Sequence, residues 1–296
     1  MPERRTDLAL EAKELWEESA GRTTKLPGVR AGTKRMGRCT VTKVDILDAE
    51  GEKALGKPRG QYLTVELGDL SAEGGFEGAV ETVGRQLRKL LPPKGGILVA
   101  GLGNRAMTPD AVGPLAVEHL LVTRHLISSL PRYFGGFRAV SAVTPGVLGQ
   151  SGVESAEAVA ALVRELRPAA VIAVDALAAR RTERLCTTVQ LSDTGIAPGS
   201  GVGNHRKALS RETLGVPVIA LGVPTVVDAA TIAADLLEKS GGEEVTAEKL
   251  RRAALPMMVT PRDIDRSVRQ LGKVAGYAIN WALQDMDISE MSALLT

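Results

Sequence analysis

The apolar run Ile97-Leu98-Val99-Ala100 ends in Gly101-Leu102-Gly103-Asn104, and this junction constrains the fold more than any other stretch. Four consecutive apolar residues before a glycine suit a strand buried on both faces. The small residues after it allow close approach of backbone to backbone or to a ligand. Thr108-Pro109 then turns the chain and presents Asp110, and Gly113-Pro114 opens a helix with Leu115, Val117 and Leu120 on its apolar side. A carboxylate therefore stands in a strand-to-helix connection, where open α/β sheets place their active sites.

The rest of the chain repeats this alternation. Helical patterns over Glu77–Leu91, Pro114–Leu121 and Glu154–Leu166 precede strand patterns at Ile97, Arg138–Ala142 and Ala170–Asp175. Thr187–Ser192 and Val216–Gly222 read as further strands, the second followed by a helix from about Val226 to Leu237. Strands alternating with helices imply an α/β fold, a mainly parallel sheet with helices on both faces. Before it, Leu8–Glu18 reads as a helix and the basic, glycine-rich passage Gly21–Arg38 as a loop. Val41–Ile46 and Tyr62–Leu67, joined by the polar segment Asp48–Gly60, predict a small N-terminal antiparallel β appendage at about 39–70. Thr246–Ala254 and Pro261–Leu283 predict a helical C-terminal part at about 246–285. No internal repeat or low-complexity linker divides the chain, so a single domain is expected.

Aromatic residues make up only 3% of the 296, so the core must be filled by Ala, Val, Leu and Ile, which suits helices packed closely on a sheet. A net charge of +2 gives no indication of direct nucleic-acid binding. No apolar run approaches the roughly 18 residues of a membrane span, and the first residues lack a signal-peptide core. Cys39 and Cys186 stand alone, as in a reducing compartment, and a cytoplasmic location is expected.

Asp175 ends the apolar run Val171–Val174, as Asp110 follows that of Ile97–Ala100. In a parallel sheet all such strand ends lie along one edge, so the two carboxylates can face one cleft. Two neighbouring carboxylates in a partly dry site do not both ionise easily; one is left as base and one as acid near neutral pH. Such a pair suits hydrolysis, activating water and protonating a leaving amine.

Other signals are weaker. Gly101 to Ala106 formally fits a dinucleotide fingerprint, but Thr108-Pro109 intervenes before the helix, and no acidic residue lies around Val122–Leu126 where a ribose partner belongs. No cofactor is expected. Asp193-Thr194-Gly195 carries the signature of pepsin-type proteases once, where two β lobes are needed, so Asp193 reads as a turn or supporting residue. The loop Pro198–Asn204 can form a nest of N–H groups for an anion or a peptide carbonyl. His119, His125 and His205 do not cluster; only His205, beside that loop, has a plausible functional position, and no metal site is expected.

The ordered motifs Arg5-Thr6-Asp7-Leu8-Ala9, Gly101–Asn104 with Thr108–Pro114, Thr144–Gln150, Val174–Ala178 and Gly199–Asn204 resemble the spore germination protease family. These are atypical aspartic-type endopeptidases that degrade small acid-soluble spore proteins. The resemblance implies a hydrogenase-maturation-protease-like fold and catalytic aspartates at Asp110 and Asp175. It implies a zymogen that removes a short propeptide, residues 1–7, between Asp7 and Leu8, leaving a peptidase domain over 8–296. It further implies a homotetramer acting in the cytoplasm of the forespore and spore core. Asn104, Gly103, Gly201, Gly203 and Asn204 are the expected substrate-binding residues. Two alternatives remain open: a metal-reading maturation-type protease, and a non-catalytic peptide- or anion-binding α/β module.

Overall fold

The computed structural model describes residues 6–20, 26–199, 206–239 and 257–295. Among them, strands β1 (Val29–Met36), β2 (Cys39–Ile46), β3 (Gly60–Glu66), β4 (Ile97–Leu102), β5 (Val140–Gly146), β6 (Ala170–Ala179), β7 (Thr188–Ser192), β8 (Val218–Asp228) and β9 (Met258–Val259) form one sheet. Their order is β1-β2-β3-β7-β8-β6-β4-β5, with β9 added to β8. Strands β5, β4, β6 and β8 are parallel, whereas β8, β7, β3, β2 and β1 pair antiparallel in succession.

All six residues of β4 are buried, because helices cover both faces of the parallel part. On one face Val99, Ile172 and Leu221 pack beneath Val83 and Leu87 of the Gly75–Leu90 helix, Leu115 of Val112–Glu118 and Leu271 of Ile264–Leu283. On the other, Leu98, Ala100, Val171 and Ala173 meet Val159 and Val163 of the Ser155–Leu166 helix. The α/β class and the helical cover on both faces are thus as the sequence predicts. No helix of the described residues is long and apolar enough to cross a membrane.

Three local expectations are corrected. The passage read as a loop contains β1, an edge strand exposed from Arg30 to Arg35 and held by backbone pairing with β2; with no face to bury, it has no apolar alternation. The polar link after β2 contains a helix, Ala49–Leu55, whose N-terminal N–H groups at Glu50 and Gly51 are capped by the Asp48 carboxylate. Most consequential for function, β6 does not stop at Asp175 but runs on to Ala179, because β8 pairs with it as far as Val227. Residues Thr246–Ala254, expected to be helical, lie outside the described residues.

This overhang makes the cleft. The last β4–β6 pairing is Gly101 with Val174, so Asp175 is the first residue of β6 beyond it. From β4 the chain leaves toward β5 on one side, and from β6 toward β7 on the other. A crevice opens between strands whose connections diverge in this way.

Candidate active site

Asp110 closes a 3-10 turn, Thr108–Asp110, that folds back over the end of β4. Its Oδ2 accepts the Asn104 N–H at 2.8 Å, while the Pro109 carbonyl accepts the hydroxyl of the fully buried Thr225 on β8 at 2.7 Å. Gly103 has φ +104, and a Cβ there would lie 2.1 Å from the Asp110 carbonyl oxygen. At Gly113 a Cβ would come within 2.5 Å of both Leu102 and Val174 backbone atoms. These glycines therefore seat the turn against β4 and β6. The Gly-x-Gly pattern serves packing between protein segments.

Asp175 is 4% exposed and accepts the Ala176 N–H through Oδ1 at 2.9 Å. Both aspartates line one cavity of about 450 Å³, with Leu102, Gly103, Asn104, Thr225 and Arg206 also on its wall. Burial raises the Asp110 pKa above the ordinary carboxylate range against the opposing pull of the Asn104 N–H and the Arg206 charge. Asp175 is driven well above that range, first by burial and then by the charges of Asp110 and Asp7; the Ala176 N–H and Arg206 oppose the rise. Chemically, the cavity holds one carboxyl disposed to keep its proton beside another that ionises more readily.

Asp7 lines the same cavity. Its N–H donates to the Ala178 carbonyl at 2.9 Å and its Oδ2 accepts the Ala178 N–H at 2.8 Å, so residue 7 is clasped by the β6 overhang. Leu8 is fully buried among Leu177, Ala179, Leu185 and Val227, a burial worth roughly 1.5–3 kcal/mol for a side chain of this kind. Gln190 of β7 spans the next bond: its Nε2 donates to the Asp7 carbonyl at 3.1 Å and its Oε1 accepts the Ala9 N–H at 2.8 Å. Beyond it the Ala9–Ala20 helix is anchored by Glu11 and Glu14 to Arg184 and by Glu18 to Arg180.

The remaining candidates separate clearly. The Asn104 side-chain oxygen accepts from Ala106 N–H and from Gln150 Nε2, both at 2.9 Å, so this residue braces the turn as well as lining the cavity. Asp193 accepts the Gln61 N–H at 2.7 Å and lines a second cavity, tying β7 to the start of β3. His119 packs against Tyr277, and burial together with Lys273 lowers its pKa. Gly201, Gly203, Asn204 and His205 lie outside the described residues. Among the described residues no group of three or more His, Cys, Asp and Glu could hold a metal ion. Thr225, Arg206 and Gln190 were not singled out in the sequence. Gln190 had one legible signal, its place on the polar side of a strand whose Val189 and Leu191 face the core.

Residues 9–253 match the family model described as Germination protease. The chain belongs to the germination protease family. A germination protease of Caldanaerobacter subterraneus subsp. tengcongensis is 43% identical, with 98% of each chain covered. That of Clostridium tetani is 40% identical over 98% of this chain and 99% of its own. That of Bacillus velezensis is 46% identical over 85% of this chain and 72% of its own. Among solved structures, the [NiFe] hydrogenase maturation protease HycI from Thermococcus kodakarensis aligns at 16% identity, covering 66% of this chain and 99% of that one, with a TM-score of 0.35. As a germination protease by family, the chain is a peptidase, a hydrolase acting on protein substrates.

Proposed function

We propose that this germination protease is an endopeptidase degrading small acid-soluble spore proteins during spore germination, with Asp110 and Asp175 as its catalytic pair. The observation that carries the mechanism is the shared cavity in which two carboxyls both have raised pKa values. Asp175, the more buried, keeps the proton. Asp110, ionised and oriented by the Asn104 N–H, takes a proton from water as the water oxygen attacks the scissile carbonyl carbon. Asp175 then protonates the departing amine, and the two residues end with their protonation states exchanged. Proton exchange with solvent resets them. No metal enters this scheme.

The chain is made as a zymogen and cuts itself between Asp7 and Leu8. Two things support this: the sequence Asp-Leu-Ala matches the acidic, apolar, alanine pattern of the family's cleavage sites, and Asp7 lines the cavity of the two aspartates. Gly103 and Asn104, with Gly201, Gly203 and Asn204, bind substrate backbone. The mature enzyme is a single domain over residues 8–296, working as a homotetramer in the cytoplasm of the spore.

The test is cleavage of a purified small acid-soluble spore protein by the wild type, Asp110→Asn and Asp175→Asn. Each variant should lose at least about 10²-fold in kcat, and full activity in either defeats the mechanism. Loss of wild-type activity on adding a strong chelator transfers the reading to a metal site. Substrate binding without any cleavage transfers it to a binding module. N-terminal sequencing of the matured chain should begin at Leu8; any other start refutes the processing site.

A further inference from the structure

We infer that Gln190 is a main-chain clamp for the polypeptide being cut, a positioning residue that grips substrate on both sides of the scissile bond. The inference rests on the reading that Asp7–Leu8 is a cleavage site. In that frame the Asp7 carbonyl is the one attacked, and Gln190 Nε2 already donates to its oxygen at 3.1 Å. Two residues on, the Ala9 N–H donates to Gln190 Oε1 at 2.8 Å. One primary amide thus engages an acceptor and a donor that flank a single residue, as a neighbouring strand would, and it takes no account of side-chain identity.

Strand register puts this clamp beside the catalytic pair. Gly222 of β8 is paired on one side with Asp175 and on the other with Gln190. Aligned residues on neighbouring strands project to the same face, so Asp175 and Gln190 share a face with one strand between them, about 10 Å apart at their Cα atoms. That intervening position is a glycine, and the Leu177 side chain of β6 lies over it where a Cβ would stand. Gln190 is 7% exposed, and its amide gives one N–H to residue 7 and accepts one N–H from residue 9. After the cut, residues 1–7 leave, and the new N-terminus at Leu8 and Ala9 must also move off Gln190; a substrate residue on the acidic side then presents its carbonyl to Nε2, and the residue two places on presents its N–H to Oε1. When water adds, the carbonyl oxygen gains negative charge, and the Nε2–H bond strengthens there.

The test pairs enzyme variants with a substrate change. A peptide containing Asp-Leu-Ala is made with its normal amide and, separately, with the Ala nitrogen replaced by an ester oxygen, which removes the donor to Oε1. Processed wild type should cut the ester form about tenfold less efficiently, the worth of one hydrogen bond. Gln190→Met should lose about 10² in kcat on the amide peptide and should not distinguish the two peptides. Gln190→Glu retains the acceptor and loses the donor, so it should lose kcat yet remain sensitive to the ester; it also serves if Gln190→Met melts early. A residue that merely holds the N-terminal segment would leave cleavage in trans unchanged. Equal kcat and equal ester sensitivity in wild type and Gln190→Met therefore overturn the clamp while leaving the cleavage site standing. Failure of the wild type to cut the Asp-Leu bond in the amide peptide removes the cleavage-site reading, and the clamp with it.

Discussion

Two regions within a few residues of one another, one on β6 and one just past its end, bury charge in opposite ways. At Asp175, burial first, and then the charges of Asp110 and Asp7, drive the pKa well up, with Arg206 opposing. Just past the strand, Arg180 is 5% exposed but meets Glu18 at 2.7 Å and Asp235 at 3.1 Å. Nearby Glu14 is also partly buried, which raises its pKa, but Arg184, with Arg181 and Arg180, overrides that and holds it below the ordinary range. Burial is common to both regions; the sign of the company differs. Where opposite charges meet, the fold gains an anchor for the Ala9–Ala20 helix. Where like charges meet, the fold gives up stability and obtains a pair of carboxyls able to exchange protons.

The two regions should respond differently to mutation. Arg184→Met leaves Glu11 and Glu14 without their main cation and should cost about 3 kcal/mol in denaturant unfolding, while the fraction still folded cuts substrate normally. Unchanged stability would mean that the ion pairs do not anchor the helix. Asp193→Ala, the change at the pepsin-like motif, should cost about 1–2 kcal/mol through the lost bond to Gln61 N–H. Its kcat should stay within about threefold of wild type, well short of the 10² or more expected for a general base; a larger fall would bring Asp193 into the chemistry. Smallest in stability, but sharpest in sign, is the pH dependence of Asp175→Asn. A carboxyl whose folded pKa exceeds its unfolded value, about 3.9, binds its proton more tightly when folded, so stability is lost as pH rises between the two values. The Asn variant escapes that loss. Its melting temperature should match the wild type at acid pH and pull ahead as pH rises toward neutral; a wild type equally stable across that range would mean that Asp175 is not held protonated.

Much of this was legible in the chain. Ile97–Ala100 and Val171–Val174 are apolar enough to declare buried strands; Asp175 stands out because it follows one directly, and Asp110 because it lies in the connection that leaves the other. Three features escaped for identifiable reasons. β1 is exposed from Arg30 to Arg35, so its sequence carries only polarity, and the pairing with β2 is a backbone property. The extension of β6 beyond Asp175 depends on the length of β8, a non-local partner. The clasp on Asp7 and Ala9 joins residues more than 170 positions apart through Ala178 and Gln190, and nothing in a linear reading brings these together. Conversely, the glycines of Gly101–Gly103 were visible, but what they approach, the backbone of the Asp110 turn, was not.

The central claim is that Asp110 and Asp175 titrate as a coupled pair with the proton resting on Asp175. Carbon-13 NMR of aspartate carboxyls, followed against pH in the wild type and in Asp110→Asn, tests it directly. The Asp175 resonance should titrate well above the ordinary carboxylate range in the wild type and move down when the Asp110 charge is removed. An Asp175 that titrates in the ordinary range, or that is indifferent to Asp110→Asn, would contradict it.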